Sequence, residues 1–412
     1  MAKLPTPDVK QFVIDHTDGP KLRESDGSYG WLIAIVGAFT LVFTLGTSFS
    51  YGIFVGPFSD QYALSEVAVS VIFALHLFAA YTLAGIVGIL ATRYPPNRVL
   101  LGTGGVTGLL APSLYFVESF PALMLIFTIL GTALGSALVV IVSVIPQWFD
   151  DSRGLATGFL FVGIGLSLLV MPPAWNIAFT SLGVQDGFLM IVGLTACSFL
   201  AAGFVITRPP WLPDTSVPFR ALRVWITQLT RTRQFYYLFV GFGFAFAWFF
   251  LLAGFGVEFF ESRGFDRTMA SLAFGLIGGI SIFSRLGSGG IADKIGYGRT
   301  MSLSLIFASI GCLMLFLPGT VSIYVGIVLF GVSLGGVTTL YIPILLQIYD
   351  PDKSTAVVGI FTGGLGVPAL LAPPIATTLV SSTGSFVPII VLTLSTTLAA
   401  VVLVWLGQTS NR

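Results

Sequence analysis

One basic side chain lies deep within a hydrophobic stretch of this 412-residue chain. The stretch GISIFSRLGSGG, residues 279–290, places Arg285 in a run of apolar and small residues long enough to cross a bilayer. A charge at the bilayer centre costs about 2.5–3.5 kcal/mol on insertion scales, so such residues are functional by default. A guanidinium stays protonated and can bind a carboxylate through two parallel hydrogen bonds. Arg285 therefore indicates an anion-binding function.

The other ionisable side chains in the apolar stretches decide what Arg285 can pair with. No Asp or Glu lies at a comparable depth, since Glu258 and Asp293 are near the ends of their stretches. The sequence therefore predicts that the partner of Arg285 is a solute that binds and leaves. His76 and Glu258 are the candidates for carrying a proton, His76 because its pKa range suits transfer. A neutral histidine bonded within a helical bundle is the alternative for His76.

The composition is that of a membrane protein. Hydrophobic residues make up 55% of the chain and charged residues 9%, with a mean hydropathy of +0.95. Soluble domains carry about 25% charged residues. The net charge of +1 gives no electrostatic support for a nucleic-acid partner. With two histidines, no His/Cys/Asp cluster at metal or catalytic spacing and no Walker-type loop, we expect no enzyme activity, metal, cofactor or direct use of ATP.

The elements that must position Arg285 are apolar helices. Spans of about 20 apolar residues recur twelve times, at 31–57, 68–92, 98–117, 121–148, 154–180, 186–207, 235–260, 268–292, 299–318, 321–348, 354–381 and 384–407. The longest break carries five arginines and one acid. We therefore predict an all-α polytopic fold with an N-terminal segment (1–30), a six-helix bundle (31–207), a basic linker (208–234), a second six-helix bundle (235–407) and a C-terminal segment (408–412).

The distribution of Lys and Arg predicts the orientation. With an even number of spans, both termini lie on one side, and that side holds sixteen of the nineteen basic residues. The opposite side holds Arg263 and Arg267, and Arg285 is the remaining one. By the positive-inside rule, we expect both termini and the linker to be cytoplasmic in a protein of the cell membrane.

The two halves of the chain are internally similar at an offset of about 200 residues. GTALGSALVVIVSVIPQWFD (131–150) aligns with GVSLGGVTTLYIPILLQIYD (331–350), and GFLFVGIGLSLLVMPP (158–173) aligns with GIFTGGLGVPALLAPP (359–374). Duplicated six-helix units of this kind place the substrate site near the midplane, between the repeats. This is the depth predicted for Arg285.

Three motifs resemble known transporter families. The loop GGIADKIGYGR (289–299) resembles the signature loop of the major facilitator superfamily, which implies a gate at Asp293 and Lys294. The matching loop GILATRYPPNR (88–98) keeps Arg93 as a gate residue but has Thr92 in place of the acid, which implies a weaker gate there. SDGSYGW (25–31) and QWFDDSRGLATG (147–158) resemble motifs of the monocarboxylate transporters and their bacterial oxalate/formate-antiporter-like relatives.

The resemblance implies which residues contact a substrate. An eighth-helix arginine of that family binds the substrate carboxylate, and Arg285 occupies its place. Relatives carry an acid one helical turn earlier, where this chain has Ser281, and further cations in the first or eleventh helix, which this chain lacks. One cation favours one carboxylate over two.

The family also suggests residues for the wall of the pocket. Tyr341 keeps a family hydroxyl, Leu138 stands where relatives often have tyrosine, and the first-helix aromatic is Phe49, next to Ser50 and Tyr51. For Phe49 and Leu138, plain helix packing is an equal alternative.

The leading hypothesis is therefore a monomeric secondary transporter of a small monocarboxylate, such as lactate, pyruvate or a short-chain acid, by alternating access and with proton symport. Exchange of organic anions, as in oxalate/formate antiport, and passive uniport stay open. A non-transporting membrane receptor or scaffold on the same fold is the alternative from another class.

Overall fold

The computed structural model describes residues 25–91, 94–211, 219–349 and 353–409, and the regular structure in these ranges is helical. The first half contains α1 (Ser28–Phe49), α2 (Tyr51–Tyr62), α3 (Glu66–Phe78), a π-helical segment (Ala79–Leu83), α4 (Ala84–Ala91), α5 (Pro96–Leu110), α6 (Phe120–Val144), α7 (Arg153–Leu182) and α8 (Val184–Val205). The second half contains α9 (Phe219–Leu229), α10 (Arg233–Ser262), α11 (Arg267–Ile295), α12 (Tyr297–Phe316), α13 (Thr320–Ile348), α14 (Ser354–Gly364), α15 (Gly366–Thr383) and α16 (Val387–Thr409).

Eleven helical segments of the described chain are long and apolar enough to cross a membrane, and the third predicted span is the shorter α5. α5 has 15 residues and ends at Leu110, close before Pro112. Pro112 has no backbone N–H with which to continue the helical hydrogen bonds, which accounts for the early end. Three spans predicted as continuous are interrupted, at Ser50, at the π-helical segment and at Leu365.

The duplication is visible in the helix packing of the two bundles. α6 packs against α3 and the π-helical segment, and α13 packs against α11. In the first pair Gly135 lies against the carbonyl of Ala80, and in the second Gly335 lies against the carbonyl of Ser281. This register pairs Ala80 with Ser281 at an offset of 201 residues, so Ala84 is the counterpart of Arg285. The cation is therefore present in one half only.

The two motifs that resemble monocarboxylate transporters contact each other. The Asp26 carboxylate accepts hydrogen bonds from the backbone N–H groups of Asp150 (2.9 Å), Asp151 (3.2 Å) and Ser152 (3.1 Å), and from the Ser152 hydroxyl. Burial acts to raise the Asp26 pKa, but these hydrogen bonds outweigh it and hold the pKa below its usual value. The start of α1 is thereby fastened to the loop between α6 and α7.

The bundles meet at the end of the molecule that carries residues 206–211 and 219–232, called the linker side here. There α7 lies against α11, and α4 lies against α14. A Cβ at Gly154 would clash with the carbonyl of Gly289, and one at Gly85 with that of Gly359, so glycine permits both crossings. These contacts close the linker side.

At the opposite end, called the far side, a cleft separates the bundles. The cleft is bounded mainly by α7 and the first half of α11. Its lining residues are Gly165, Leu169, Pro173, Phe249, Met269, Leu272, Ala273, Phe274, Gly275, Leu276, Gly278, Gly279, Tyr324 and Leu334. The molecule is thus closed on the linker side and open on the far side.

Candidate functional site

A cavity lies between the two bundles. Its lining is almost entirely apolar and aromatic and comes from both halves: Leu45, Tyr81, Leu138, Phe161, Ile164, Phe246, Phe249, Phe250, Arg285, Leu334, Thr338, Tyr341 and Leu365. Phe249 and Leu334 also line the far-side cleft, so the two spaces adjoin. A concave, largely apolar pocket with few polar groups is typical of a small-molecule site.

Arg285 is the charged group of this cavity. Its side chain is 1% exposed, and α11 directs it towards α13. Nη1 donates to the Thr338 hydroxyl at 2.8 Å, and Nη2 lies 3.5 Å from the Ser281 hydroxyl. Nε is buried and has no partner in the described part of the chain. In the described residues no carboxylate lies at ion-pair distance from the guanidinium, so the side chains that contact its charge are neutral hydroxyls.

Three hydroxyl-bearing side chains accompany Arg285 in the cavity lining. Thr338 and Tyr341 lie one turn apart on α13, and the Tyr341 hydroxyl is 3.4 Å from that of Thr362. Tyr81 belongs to the π-helical segment of the first bundle. The polar groups of the second bundle are therefore clustered, whereas the first bundle contributes a single described hydroxyl.

Some of the residues predicted for the pocket wall lie at the cavity, and others do not. Leu138 and Tyr341 line the cavity, and Ser281 lies beside the guanidinium. Ser50 is buried at the break between α1 and α2, where its hydroxyl donates to the carbonyl of Gly46 at 2.6 Å. The side chains of Phe49 and Tyr51 lie outside the described part of the structure.

The two proton-carrying candidates lie away from the cavity lining. His76 is buried inside the first bundle, with Nδ1 3.0 Å from the carbonyl of Phe127 and Nε2 2.8 Å from the Ser48 hydroxyl. Because a carbonyl only accepts, Nδ1 carries a proton, and a neutral ring with Ser48 donating to Nε2 satisfies both nitrogens. Glu258 is exposed on the far half of α10.

Asp293 connects the two bundles on the linker side. Its carboxylate accepts from the backbone N–H groups of Gly154 (2.8 Å) and Leu155 (3.0 Å), in the first turn of α7, and from the Tyr297 hydroxyl (2.9 Å). A carboxylate at a helix N-terminus satisfies free N–H groups and complements the helix dipole. The neighbouring Lys294 is exposed, and the predicted gate residue Arg93 lies outside the described residues.

Tyr81 and Thr338 are polar lining residues that the sequence argument missed, along with most of the aromatic wall. Thr338 stands one turn before Tyr341 in GGVTTLYIP, and Phe246, Phe249 and Phe250 follow helical spacing in α10. These spacings could have placed them on one face with the predicted site. Tyr81 gives no comparable signal, because a π-helical segment changes which face a side chain occupies.

A profile of the Major Facilitator Superfamily matches residues 35–345 and 289–411, and the chain belongs to this family. The fold agrees: a crystal structure of a fucose:proton symporter from E. coli superimposes with a TM-score of 0.76 at 10% identity, covering 92% of this chain and 99% of that one. The protein is therefore a multi-pass membrane protein with the fold of that superfamily.

Relatives of established name are similar at low identity. An oxalate:formate antiporter from Oxalobacter formigenes is 25% identical over 303 residues, which cover 69% of each chain. Monocarboxylate transporter 2 from Meriones unguiculatus is 23% identical over 393 residues, 87% of this chain and 80% of that one. An MFS-type transporter from Ophiocordyceps is 27% identical over 368 residues, 85% of this chain and 78% of that one. The relatives of this chain thus include transporters that are named for small organic anions.

Proposed function

We propose that this protein is a secondary active transporter of a small monocarboxylate with an apolar end, and that the carboxylate binds Arg285. The observation that carries the proposal is a buried guanidinium without a carboxylate partner in the described chain, facing an apolar cavity between two bundles. An anion would satisfy the free Nε and neutralise the charge. The relatives named for monocarboxylates and for oxalate and formate support an organic anion as the substrate.

The lining favours one carboxylate over two. Among the described lining residues Arg285 is the single cation, and a second carboxylate would have to lie against leucine and phenylalanine. Burial of an unpaired charge is costly, so dicarboxylates such as oxalate should bind poorly. Exchange of one organic anion for another is the second candidate, since a relative is named as an antiporter.

Alternating access and gating complete the proposal. The bundles rock about the cavity, and the observed form, closed on the linker side, is open to the outside if the linker is cytoplasmic. Asp293 holds the closed linker side together, with Lys294 and Arg93 as further gate residues. We propose location in the cell membrane and proton symport, with His76 and Glu258 kept as the proton-carrying candidates.

Uptake into proteoliposomes tests the function. Purified protein should accumulate labelled lactate, pyruvate or butyrate, more strongly with an inward proton gradient if symport operates. Arg285→Gln should lower uptake and binding at least tenfold, because hydrogen bonds to a charged group each contribute about 1.5–3 kcal/mol. Arg223→Gln, at an exposed site on α9, is the control and should match the wild type.

Three results separate the alternatives. Uptake that needs a loaded counter-anion rather than a proton gradient would identify an exchanger. Binding without any flux would favour the receptor hypothesis. Wild-type uptake by Arg285→Gln would show that the site assignment is wrong.

A further inference from the structure

The polar groups of the cavity are divided unequally between the bundles. The second bundle contributes Arg285, Thr338 and Tyr341. The first bundle contributes Leu45, Leu138, Phe161, Ile164 and Tyr81, of which Tyr81 alone can form a hydrogen bond through its side chain among the described lining residues. A bound anion can therefore reach a polar side chain of the first bundle only at Tyr81 within this described lining.

The position of Tyr81 depends on an irregularity in the helix. The π-helical segment Ala79–Leu83 separates α3 from α4, and such single-turn segments occur frequently at functional sites. The next residue, Thr82, donates from its hydroxyl to the carbonyl of Gly363 at 3.2 Å, at the break between α14 and α15. The Tyr81 ring meets Phe250 edge-on, with centroids 6.3 Å apart and planes at 79°. Contacts from the second bundle therefore hold the ring at the interface.

The hydroxyl of Tyr81 is free to bind a solute. It has no hydrogen-bond partner in the described part of the chain, and it is not among the fully enclosed polar atoms that lack partners there. The hydroxyl therefore faces the open space of the cavity. The Tyr341 hydroxyl differs, because it already lies within 3.4 Å of Thr362.

The opening of the cavity determines when Tyr81 can act. Because Phe249 and Leu334 line both the cavity and the far-side cleft, an anion held by Arg285 in the observed form is not yet enclosed by the two bundles. Closure of the far side brings the walls together. A contact made only in the closed form stabilises that form relative to the open one and so speeds translocation more than it strengthens binding.

We propose that the Tyr81 hydroxyl donates a hydrogen bond to the Arg285-bound anion when the bundles close, so that the anion bridges the two halves. This proposal rests on the proposed transport function and adds a residue that couples binding to closure. In this proposal Arg285 binds the anion in the open form, and Tyr81 then stabilises the closed form that carries the anion across.

The test compares Tyr81→Phe with Tyr81→Leu in the full-length protein. For Tyr81→Phe we expect the maximal uptake rate of lactate or butyrate to fall about tenfold, since one hydrogen bond to a charged group is lost. Its equilibrium Kd, measured in detergent in the form open on the far side, should stay within about twofold of the wild type. Tyr236→Phe removes an exposed hydroxyl of α10 and is the matched control, with wild-type behaviour expected.

The remaining outcomes overturn the proposal. If Tyr81→Phe transports normally and Tyr81→Leu does not, the ring serves only packing against Phe250. If Tyr81→Phe weakens Kd tenfold at an unchanged maximal rate, Tyr81 acts in the open form. Loss of folding in Tyr81→Phe would show that the hydroxyl is not free. Each of these results contradicts the role of Tyr81 only. The proposed transport function is contradicted separately, if Arg285→Gln transports like the wild type.

Discussion

At the scale of single residues, the neighbours of Arg285 keep its charge available. Ser281 lies one turn earlier, and its hydroxyl is 3.5 Å from Nη2, whereas the resemblance leads one to expect an acid there. A neutral hydroxyl orients the guanidinium without competing for it. A carboxylate at the same place would neutralise the charge and occupy donors that an anion needs.

Ser281→Asp tests this competition. We expect the variant to bind lactate or butyrate about tenfold more weakly at pH 7.5, because the new carboxylate forms an ion pair with Arg285. Binding should recover in Ser281→Asn, which has nearly the same shape without the charge. Isothermal titration at pH 7.5 measures both effects, and Ser281→Ala is a second control that adds no charge. Equal affinity of Ser281→Asp and the wild type at pH 7.5 would contradict the role given to Arg285.

At the scale of elements, Asp26 shows how a short motif fixes the packing of long helices. Its carboxylate accepts hydrogen bonds from three backbone N–H groups of the α6–α7 loop. Beside it Tyr29 packs on Trp148, and Trp31 packs on Phe149, with ring centroids 5.1 Å apart in both pairs. The two segments are more than 100 residues apart in the chain, so the contact sets how α1 meets the rest of the first bundle.

Asp26→Asn should reduce thermal stability in detergent by about 1–2 °C at pH 7, the shift expected for about 1 kcal/mol in a chain of 412 residues. The folded pKa of Asp26 is lowered, so its contribution is present above the unfolded pKa of about 3.9 and is lost as the pH falls through the folded value. The difference between variant and wild type should therefore shrink below about pH 4. A constant difference from pH 7 to pH 3 would show that the charge is not involved.

The helices were predictable from the sequence because bilayer thickness sets the length of an apolar span. The breaks in the helices were less predictable. Leu365 lies between Gly364 and Gly366, which is a visible signal, whereas Ser50 is itself neither proline nor glycine. Glycines lie at the crossings of α4 with α14 and of α7 with α11, but the sequence does not show which of its many glycines have this role.

Arg285 could be found from the sequence because a cation in an apolar span is rare and costly. The wall of its cavity could not, because the same phenylalanines and leucines fill helix interfaces and line pockets. Phe249 and Leu138 look like any packing residue until the bundles are assembled. His76 illustrates the opposite case, since its chemistry suits proton transfer, whereas the structure places it among the aromatic side chains of one bundle.

At the scale of the whole molecule, one carboxylate links the two halves on the linker side. Asp293 belongs to α11 of the second bundle and accepts hydrogen bonds from the first turn of α7 in the first bundle. Opening of the linker side requires α7 and α11 to separate there, so these bonds must break. Under the proposed alternating access, the strength of this link would bias the equilibrium between the two open forms.

Asp293→Asn should shift that equilibrium towards the form open on the linker side by about twofold to tenfold, because the charge at the α7 N-terminus is removed. Spin labels at Asp151→Cys and Ile295→Cys, both exposed on the linker side, should report a larger population of long distances. Labels at Leu182→Cys and Met269→Cys on the far side should report more short ones, in a background where Cys197 and Cys312 are replaced by serine. Asp266→Asn is the matched control, since it neutralises an acid at the far end of the same helix, where asparagine caps equally well. If both label pairs give unchanged distributions in Asp293→Asn, the carboxylate stabilises the fold without holding the linker side closed.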